Sequence, residues 1–309
     1  MPYPQVQISD VILRDGLQLV RSVLPTEDKK RIVDGLYGAG LRHLDITSFV
    51  PPARFPQFAD ASDIVAHARR YADLDLSAFA PNPKGAERAA AAGVDAISFV
   101  ISVSDSHNRA NVNRTTAEQV AAAREVRAFL DGRDGQPVRL VLALATVFGC
   151  SIEGEIAVDA VARLAVEARA AGADEICLSD TVGYADPLRV RQVIAAVRAA
   201  VGADIPLRLH LHDTTGTGMA CAFAAMEEGI TLFDASLGGL GGCPFAAGAS
   251  GNISTEDLVY LMERSGVSTG IDLDALLVVT ALLHASLPDE ELASHLFKSG
   301  PPKSYGAHL

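Results

Sequence analysis

The stretch Leu207-Arg208-Leu209-His210-Leu211-His212-Asp213 decides how this chain is read. It is an apolar-rich run that ends in polar groups. A glycine-bearing turn over 214–218 follows, then the Ala-rich segment 219–228 and a second apolar run over 232–237. That is a strand, a helix and the next strand, the unit from which parallel sheets are built. On an extended strand residues i and i+2 face the same way, roughly 6–7 Å apart along the chain. His210 and His212 therefore aim two imidazoles to one side, in reach of a single metal ion.

Working outward, the same unit recurs along the chain. Strands are predicted over 7–13, 41–49, 75–80, 96–103, 138–146, 175–179, 207–212 and 232–237. Helices are predicted over 27–39, 57–70, 84–92, 117–130, 158–170, 187–201, 219–228 and 256–264. Glycines stand where helices need a left-handed residue to stop: Gly40, Gly93, Gly172, Gly202, Gly229 and Gly266. Eight strands, each followed by a helix, predict an α/β protein of the (β/α)8 TIM-barrel class. An open doubly wound sheet uses the same local pattern, but the count reaches eight and no GxGxxG follows the first strand. The reading is one domain over 1–309: a barrel over about 6–266, then an extension over about 267–309 with an extra helix over 272–285.

Composition sets the outer limits. With 309 residues, 49% of them hydrophobic, the chain can bury a large core. The net charge is −12, and no basic cluster exceeds Arg69-Arg70 or Lys29-Lys30-Arg31, which argues against nucleic acid as a partner. No apolar run is long enough to cross a bilayer, and the N-terminus lacks the features of a secretory signal. Cys150, Cys177, Cys221 and Cys243 show no CxxC spacing, which fits a reducing, cytoplasmic setting.

In a barrel the active site forms at the carboxyl ends of the strands. Those ends carry Arg14 and Asp15, then Asp45, Thr47 and Ser48, then Thr146, Asp180 and Thr181, and finally His210, His212 and Asp213. The glycine-rich loop after strand eight adds Cys243 and Asn252. An HxH pair alone also suits two core histidines. With Asp15 and Asn252 in the same register it becomes a mixed O/N ligand set that leaves two positions of an octahedron open. Such a set suits Mg²⁺ or Mn²⁺, with Zn²⁺ or Co²⁺ as competitors. Arg14 beside the metal carboxylate can meet a developing oxyanion. Cys243, on a flexible loop, can carry a proton. The other cysteines read as packing residues.

These residues match a known family. From about residue 8 to 275 the chain resembles the 3-hydroxy-3-methylglutaryl-CoA lyases, members of the DRE-type metallolyase barrels. The resemblance is carried by Leu13-Arg14-Asp15-Gly16-Leu17-Gln18, Thr47-Ser48-Phe49-Val50, Pro81-Asn82-Pro83-Lys84-Gly85 and Ser179-Asp180-Thr181-Val182-Gly183. It continues in His210-Leu211-His212-Asp213-Thr214, Gly238-Gly239-Leu240-Gly241-Gly242-Cys243-Pro244-Phe245-Ala246, Ala249-Ser250-Gly251-Asn252 and Thr255-Glu256-Asp257-Leu258-Val259-Tyr260. The Cys-bearing glycine loop is the specific part; the RDG and HxH groups are shared with related aldolases and condensing enzymes.

The resemblance implies cleavage of a 3-hydroxyacyl-CoA to acetyl-CoA and a keto acid, with a divalent cation. Asp15, His210, His212 and Asn252 match the metal ligands, Arg14 the enolate-stabilising arginine, Cys243 the proton-transfer cysteine and Asp180 an active-site acid. Arg14, Gln18, Asp45, Ser48, Asn82, Lys84, Thr146 and Thr181 are the expected substrate contacts. The proton acceptor is expected beside the metal, at Asp15 or His210. Barrels of this sort commonly associate as homodimers or larger homo-oligomers. The departures lie at the rim: Asp45 stands for a glutamate, Ala53-Arg54 for a lysine-bearing step, and Thr215 and Thr217 for a tyrosine and a glutamine. They leave open a related lyase or aldolase acting on a different hydroxy acid. A condensing acyltransferase of the isopropylmalate synthase type is the other alternative, and it usually carries a C-terminal regulatory domain.

Overall fold

The computed structural model describes residues 4–242, 251–303 and 305. Eight strands pair in parallel in chain order: β1 (Gln7–Asp10), β2 (His43–Ser48), β3 (Asp75–Ala80), β4 (Ala96–Ser102), β5 (Arg139–Ala145), β6 (Glu175–Asp180), β7 (Leu207–Leu211) and β8 (Leu232–Ala235). β8 closes on β1 with Gln7 opposite Leu232 and Asp10 opposite Ala235, which excludes the open sheet. Around the barrel lie α1 (Thr26–Gly38), α2 (Ala61–Ala68), α3 (Pro83–Ala92), α4 (Asp105–Val112), α5 (Thr116–Asp131), α6 (Val158–Ala170), α7 (Pro187–Val201), α8 (Gly218–Glu227) and α9 (Thr255–Arg264). The expected C-terminal helix is α10 (Leu273–Ser286), and a short α11 (His295–Ser299) follows it. All six expected cap glycines have positive φ.

The apolar core fills the shell between strands and helices, from Leu36 and Val65 through Leu209 to Leu276. α10 is drawn onto α1 at Gly35, where a Cβ would lie 2.7 Å from Val279 Cγ2. Among the described residues no helix is long and apolar enough to cross a membrane.

Two local departures from the sequence reading matter. Strand one stops at Asp10 rather than residue 13, because the Asp10 carboxylate takes the Ile12 N–H at 2.8 Å and turns the chain. Residues Ile12–Gly16 then form a wide helical turn, with Gly16 N–H on Val11 O at 3.1 Å and Leu17 N–H on Ile12 O at 2.9 Å. Position 16 is tight: a Cβ would lie 2.5 Å from Ile12 Cδ1 and 2.9 Å from Ser236 Oγ, so a larger residue there must push those side chains aside. The second departure is α4, which was not expected because its Ser- and Asn-bearing sequence favours caps and turns. Here those side chains build it. Ser104 caps it by accepting the His107 N–H, and Asn108 bridges Ser102 N–H to the Arg114 carbonyl.

Asp10 is buried, and burial pushes its carboxyl up to about 7 despite hydrogen bonds from Thr255 and Ile12. The folded chain thus keeps a proton that the unfolded chain releases from its ordinary value of 3.8. Stability therefore falls as pH rises between those two values, by about 1.4 kcal/mol per unit. Asn at this position mimics the protonated form at every pH. Asp10→Asn is expected to raise Tm relative to wild type by about 3 °C more at pH 8 than at pH 5. A pH-independent difference between the two proteins would show that Asp10 does not titrate in this window.

Candidate active site

The wide turn after β1 and the end of β7 bring three metal-type side chains together at the carboxyl end of the barrel. Ligand atoms of Asp15, His210 and His212 all lie within 4.8 Å of one another. The two Nε2 atoms of His210 and His212 stand 3.3 Å apart, and His212 Nε2 is 3.4 Å from Asp15 Oδ2. Asn252 joins them through a backbone bridge to His212, and its Nδ2 donates to Asp15 Oδ2 at 2.8 Å and to the Leu240 carbonyl at 3.0 Å. That leaves Asn252 Oδ1 buried with no hydrogen-bond partner among the described residues. A carboxylate, two converging imidazole nitrogens and an orphaned amide oxygen are a donor set that fits a divalent cation.

Asp234 on β8 was missed by the sequence reading. Its Oδ2 lies 3.2 Å from His210 Nδ1, and its Oδ1 accepts from Arg208 at 3.0 Å. A carboxylate on Nδ1 fixes the tautomer that offers Nε2 as a lone pair. The chain continues inward, since Arg208 is bonded to Glu175 at 2.5 Å. A lower ladder runs from Arg139 to Asp75 at 2.6 Å and from Asp75 to His43 at 3.0 Å. The signal was present: Asp234 is the lone acid in the apolar strand Leu232–Ala235. Asp234→Asn is expected to weaken Mn²⁺ binding about 10- to 100-fold. Binding within twofold of wild type would take His210 out of its control.

Arg14 forms an ion pair with Asp15, lies over the Phe79 ring at 4.1 Å, and comes within 3.7 Å of Asp45 through Nε. That last separation is too long for a hydrogen bond. The Nε–H is buried and unpartnered among the described residues. Burial opposes ionisation of Asp15, but Arg14, His212 and His210 hold its carboxyl well below the usual range. Asp45 behaves oppositely: burial, with help from the Asp234 and Asp15 carboxylates and against Arg14, pushes it up to about 7. One site therefore holds a permanently ionised acid and one poised near neutrality.

A cavity of about 370 Å³ opens over these groups. Of the expected substrate contacts, Arg14, Gln18, Asp45, Ser48, Asn82 and Thr181 line it. Four expected site residues do not, among them Asn252, which stands behind the lining beside His212 and Asp15. Lys84 is exposed on the first turn of α3. Thr146 is fully buried at φ +61, with its hydroxyl spent on Ser104 N–H and the Ala145 carbonyl. Asp180 accepts the Tyr184 and Ala185 N–H groups, each at 3.0 Å, so its carboxylate builds the turn beneath the site. Cys150 and Cys221 are buried packing residues as expected, whereas Cys177 lines the cavity floor, its thiol pushed up by burial. Cys243 lies outside the described residues. Arg54, already singled out as a rim departure, forms part of the cavity wall together with Phe55 and Phe58, which the motifs did not point to.

Known proteins agree with this geometry. The family model described as HMGL-like matches residues 5–283. The chain is 39% identical to the hydroxymethylglutaryl-CoA lyase of Bacillus subtilis over 90% of this chain and 92% of that protein. It is 41% identical to the (R)-citramalyl-CoA lyase of Chloroflexus aurantiacus over 96% and 95%. A solved HMG-CoA lyase of Acinetobacter baumannii, in complex with coenzyme A and 3-methylmalate, superposes with a TM-score of 0.90 at 37% identity, covering 97% of this chain and 96% of that one.

Proposed function

The chain belongs to the HMGL-like family, and on that premise we propose that it is a divalent-metal-dependent carbon–carbon lyase. Its substrate is 3-hydroxy-3-methylglutaryl-CoA or a closely related 3-hydroxyacyl-CoA, cleaved to acetyl-CoA and a keto acid. The observation that carries this reading is the convergence of Asp15, His210 and His212 beside the unpartnered Arg14 Nε–H.

A Mg²⁺ or Mn²⁺ ion held by Asp15, His210, His212 and Asn252 would supply Lewis-acid lowering of the substrate hydroxyl pKa. The hydroxyl proton passes to a base beside the metal ligands, for which Asp15, His210 and Asp45 are the candidates; burial pushes the Asp45 carboxyl up to about 7. As the C3–O bond becomes a carbonyl, the C2–C3 bond breaks and its electron pair moves into the thioester enolate. Arg14 Nε–H bonds the enolate oxygen. Cys243 then delivers a proton to C2, completing acetyl-CoA. Lys84 and Arg54 at the rim bind the CoA phosphates, and Gln18, Ser48, Asn82 and Thr181 orient the acyl arm. We further infer a cytoplasmic homo-oligomer, because the described cysteines are free thiols and barrels of this type commonly self-associate.

A second substrate reading has its own support. The highest of the identities above is to the citramalyl-CoA lyase, and citramalyl-CoA is one methylene shorter between its carbinol carbon and its carboxylate. The purified, Mn²⁺-loaded protein should be assayed on both thioesters, following acetyl-CoA with acetoacetate or pyruvate and using a chelator-treated control. Chelator-sensitive release from either one supports the lyase. Release from neither, with metal bound, would sink both substrate assignments.

A further inference from the structure

Behind the cavity lies a ring of buried polar groups that the proposed chemistry does not use. Glu256, in the first turn of α9, is fully buried, and its two carboxyl oxygens take the Gly238 N–H at 3.0 and 3.1 Å. The Thr280 hydroxyl of α10 donates to the same carboxyl. On its other side Gly238 is held through its carbonyl, which accepts the Ala293 N–H at 2.8 Å. Gly238 and Gly239 have φ of +67° and +71°, and a Cβ on Gly238 would lie 3.0 Å from Leu292 Cδ2. This peptide is thus clamped by α9 and α10 on one side and by the run into α11 on the other.

The clamp reaches the metal site in two residues. The Leu240 carbonyl takes one N–H of the Asn252 carboxamide, and Asp15 takes an N–H of the same group. With its nitrogen end so engaged, Asn252 has only its buried, unpartnered Oδ1 left to offer a cation. An amide that lost the Leu240 partner could turn over and present NH₂, which repels a cation. The ring closes through Thr255, adjacent to Glu256, whose hydroxyl donates at 2.6 Å to Asp10, the residue that turns the chain toward Asp15.

We propose that Glu256 is a positioning residue for the metal site: by fixing Gly238 it sets the Leu240 carbonyl, which decides that Asn252 offers its oxygen. α10 and the run into α11 are then part of the site, through Thr280 and Ala293. This inference rests on the metal reading above.

The test is Mn²⁺ titration of the full-length protein, with kcat and KM measured on the thioester that wild type cleaves. Glu256→Ala is expected to weaken Mn²⁺ binding about tenfold and to lower kcat to match, with KM within about twofold. Glu256→Gln keeps an acceptor of the same shape and should stay within about threefold of wild type. Should Glu256→Ala fail to fold, Thr280→Val decides, with Mn²⁺ binding weakened about threefold or more. Wild-type Mn²⁺ affinity in a folded Glu256→Ala, or in Thr280→Val where the alanine variant does not fold, overturns the proposal. So does a Gln variant as impaired as the Ala variant. A wild-type protein that binds no Mn²⁺ would instead remove the metal reading, leaving these outcomes distinct.

Discussion

Asp15→Asn is expected to lower turnover by about three orders of magnitude and to weaken Mn²⁺ binding severely. The carboxylate is the sole anion among the four donors; His210, His212 and Asn252 are neutral ligands. Removing it forfeits several kcal/mol of charge stabilisation, and about 4 kcal/mol corresponds to a thousandfold. The same charge holds Arg14, which forms an ion pair with it, and takes an N–H from Asn252 at 2.8 Å. Asparagine keeps the shape but turns one of its own N–H groups toward donors. The measurement is kcat at saturating Mn²⁺ beside a direct binding titration. Full activity restored by excess metal would confine Asp15 to affinity. Unchanged affinity would remove it from the ligand set.

Most of the barrel could be read because each strand is a short apolar run followed by a helix with a glycine stop, and those signals are local. The ends of elements were less legible. Strand one was carried to residue 13 because Ile12 and Leu13 continue an apolar pattern, and nothing local says that the Asp10 side chain will capture the Ile12 N–H. α4 was invisible for the opposite reason: Ser104, Asp105 and Asn108 read as loop residues, and their hydrogen bonds, Ser104 to His107, Asp105 to Thr116 and Asn108 to Ser102 and Arg114, make them a capped helix. In the site, motif residues were found and their supports were not. Asp234, Arg208 and Glu175 come from three strands and meet only when β6, β7 and β8 pair side by side. Asp180 and Thr146 show the converse. Asp180 was taken for an active-site acid and Thr146 for a substrate contact, yet their hydrogen bonds are spent on the turns themselves.

The arrangement also explains why so many charges can sit inside a barrel whose interior is ordinarily filled by branched apolar side chains. Small residues at Ser98, Ala143 and Cys177 leave room at the level of the cavity floor. Below it, Glu175, Arg208 and Asp234 satisfy one another. An unpaired charge there would be heavily penalised by desolvation. The ladder thus carries the Asp234 carboxylate to His210 without leaving a buried ion alone.

Arg14→Lys is the second large effect, expected to cut kcat by about a thousandfold while leaving Mn²⁺ affinity and thioester KM within about threefold. Arg14 does two things with one planar group. One nitrogen engages Asp15, and Nε–H stays buried and unpartnered, 3.7 Å from Asp45. A donor that gains a partner only when the thioester oxygen becomes an enolate stabilises the transition state more than the ground state, so its loss appears in kcat. Lysine keeps the positive charge for Asp15 but offers a single flexible ammonium that cannot hold the carboxylate and aim a second donor at once. It also gives up the guanidinium contact over Phe79 that fixes the plane. Equal losses in KM and kcat/KM with kcat unchanged would mean that Arg14 binds substrate uniformly. A fall in Mn²⁺ affinity matching the fall in kcat would mean that it acts through Asp15 alone.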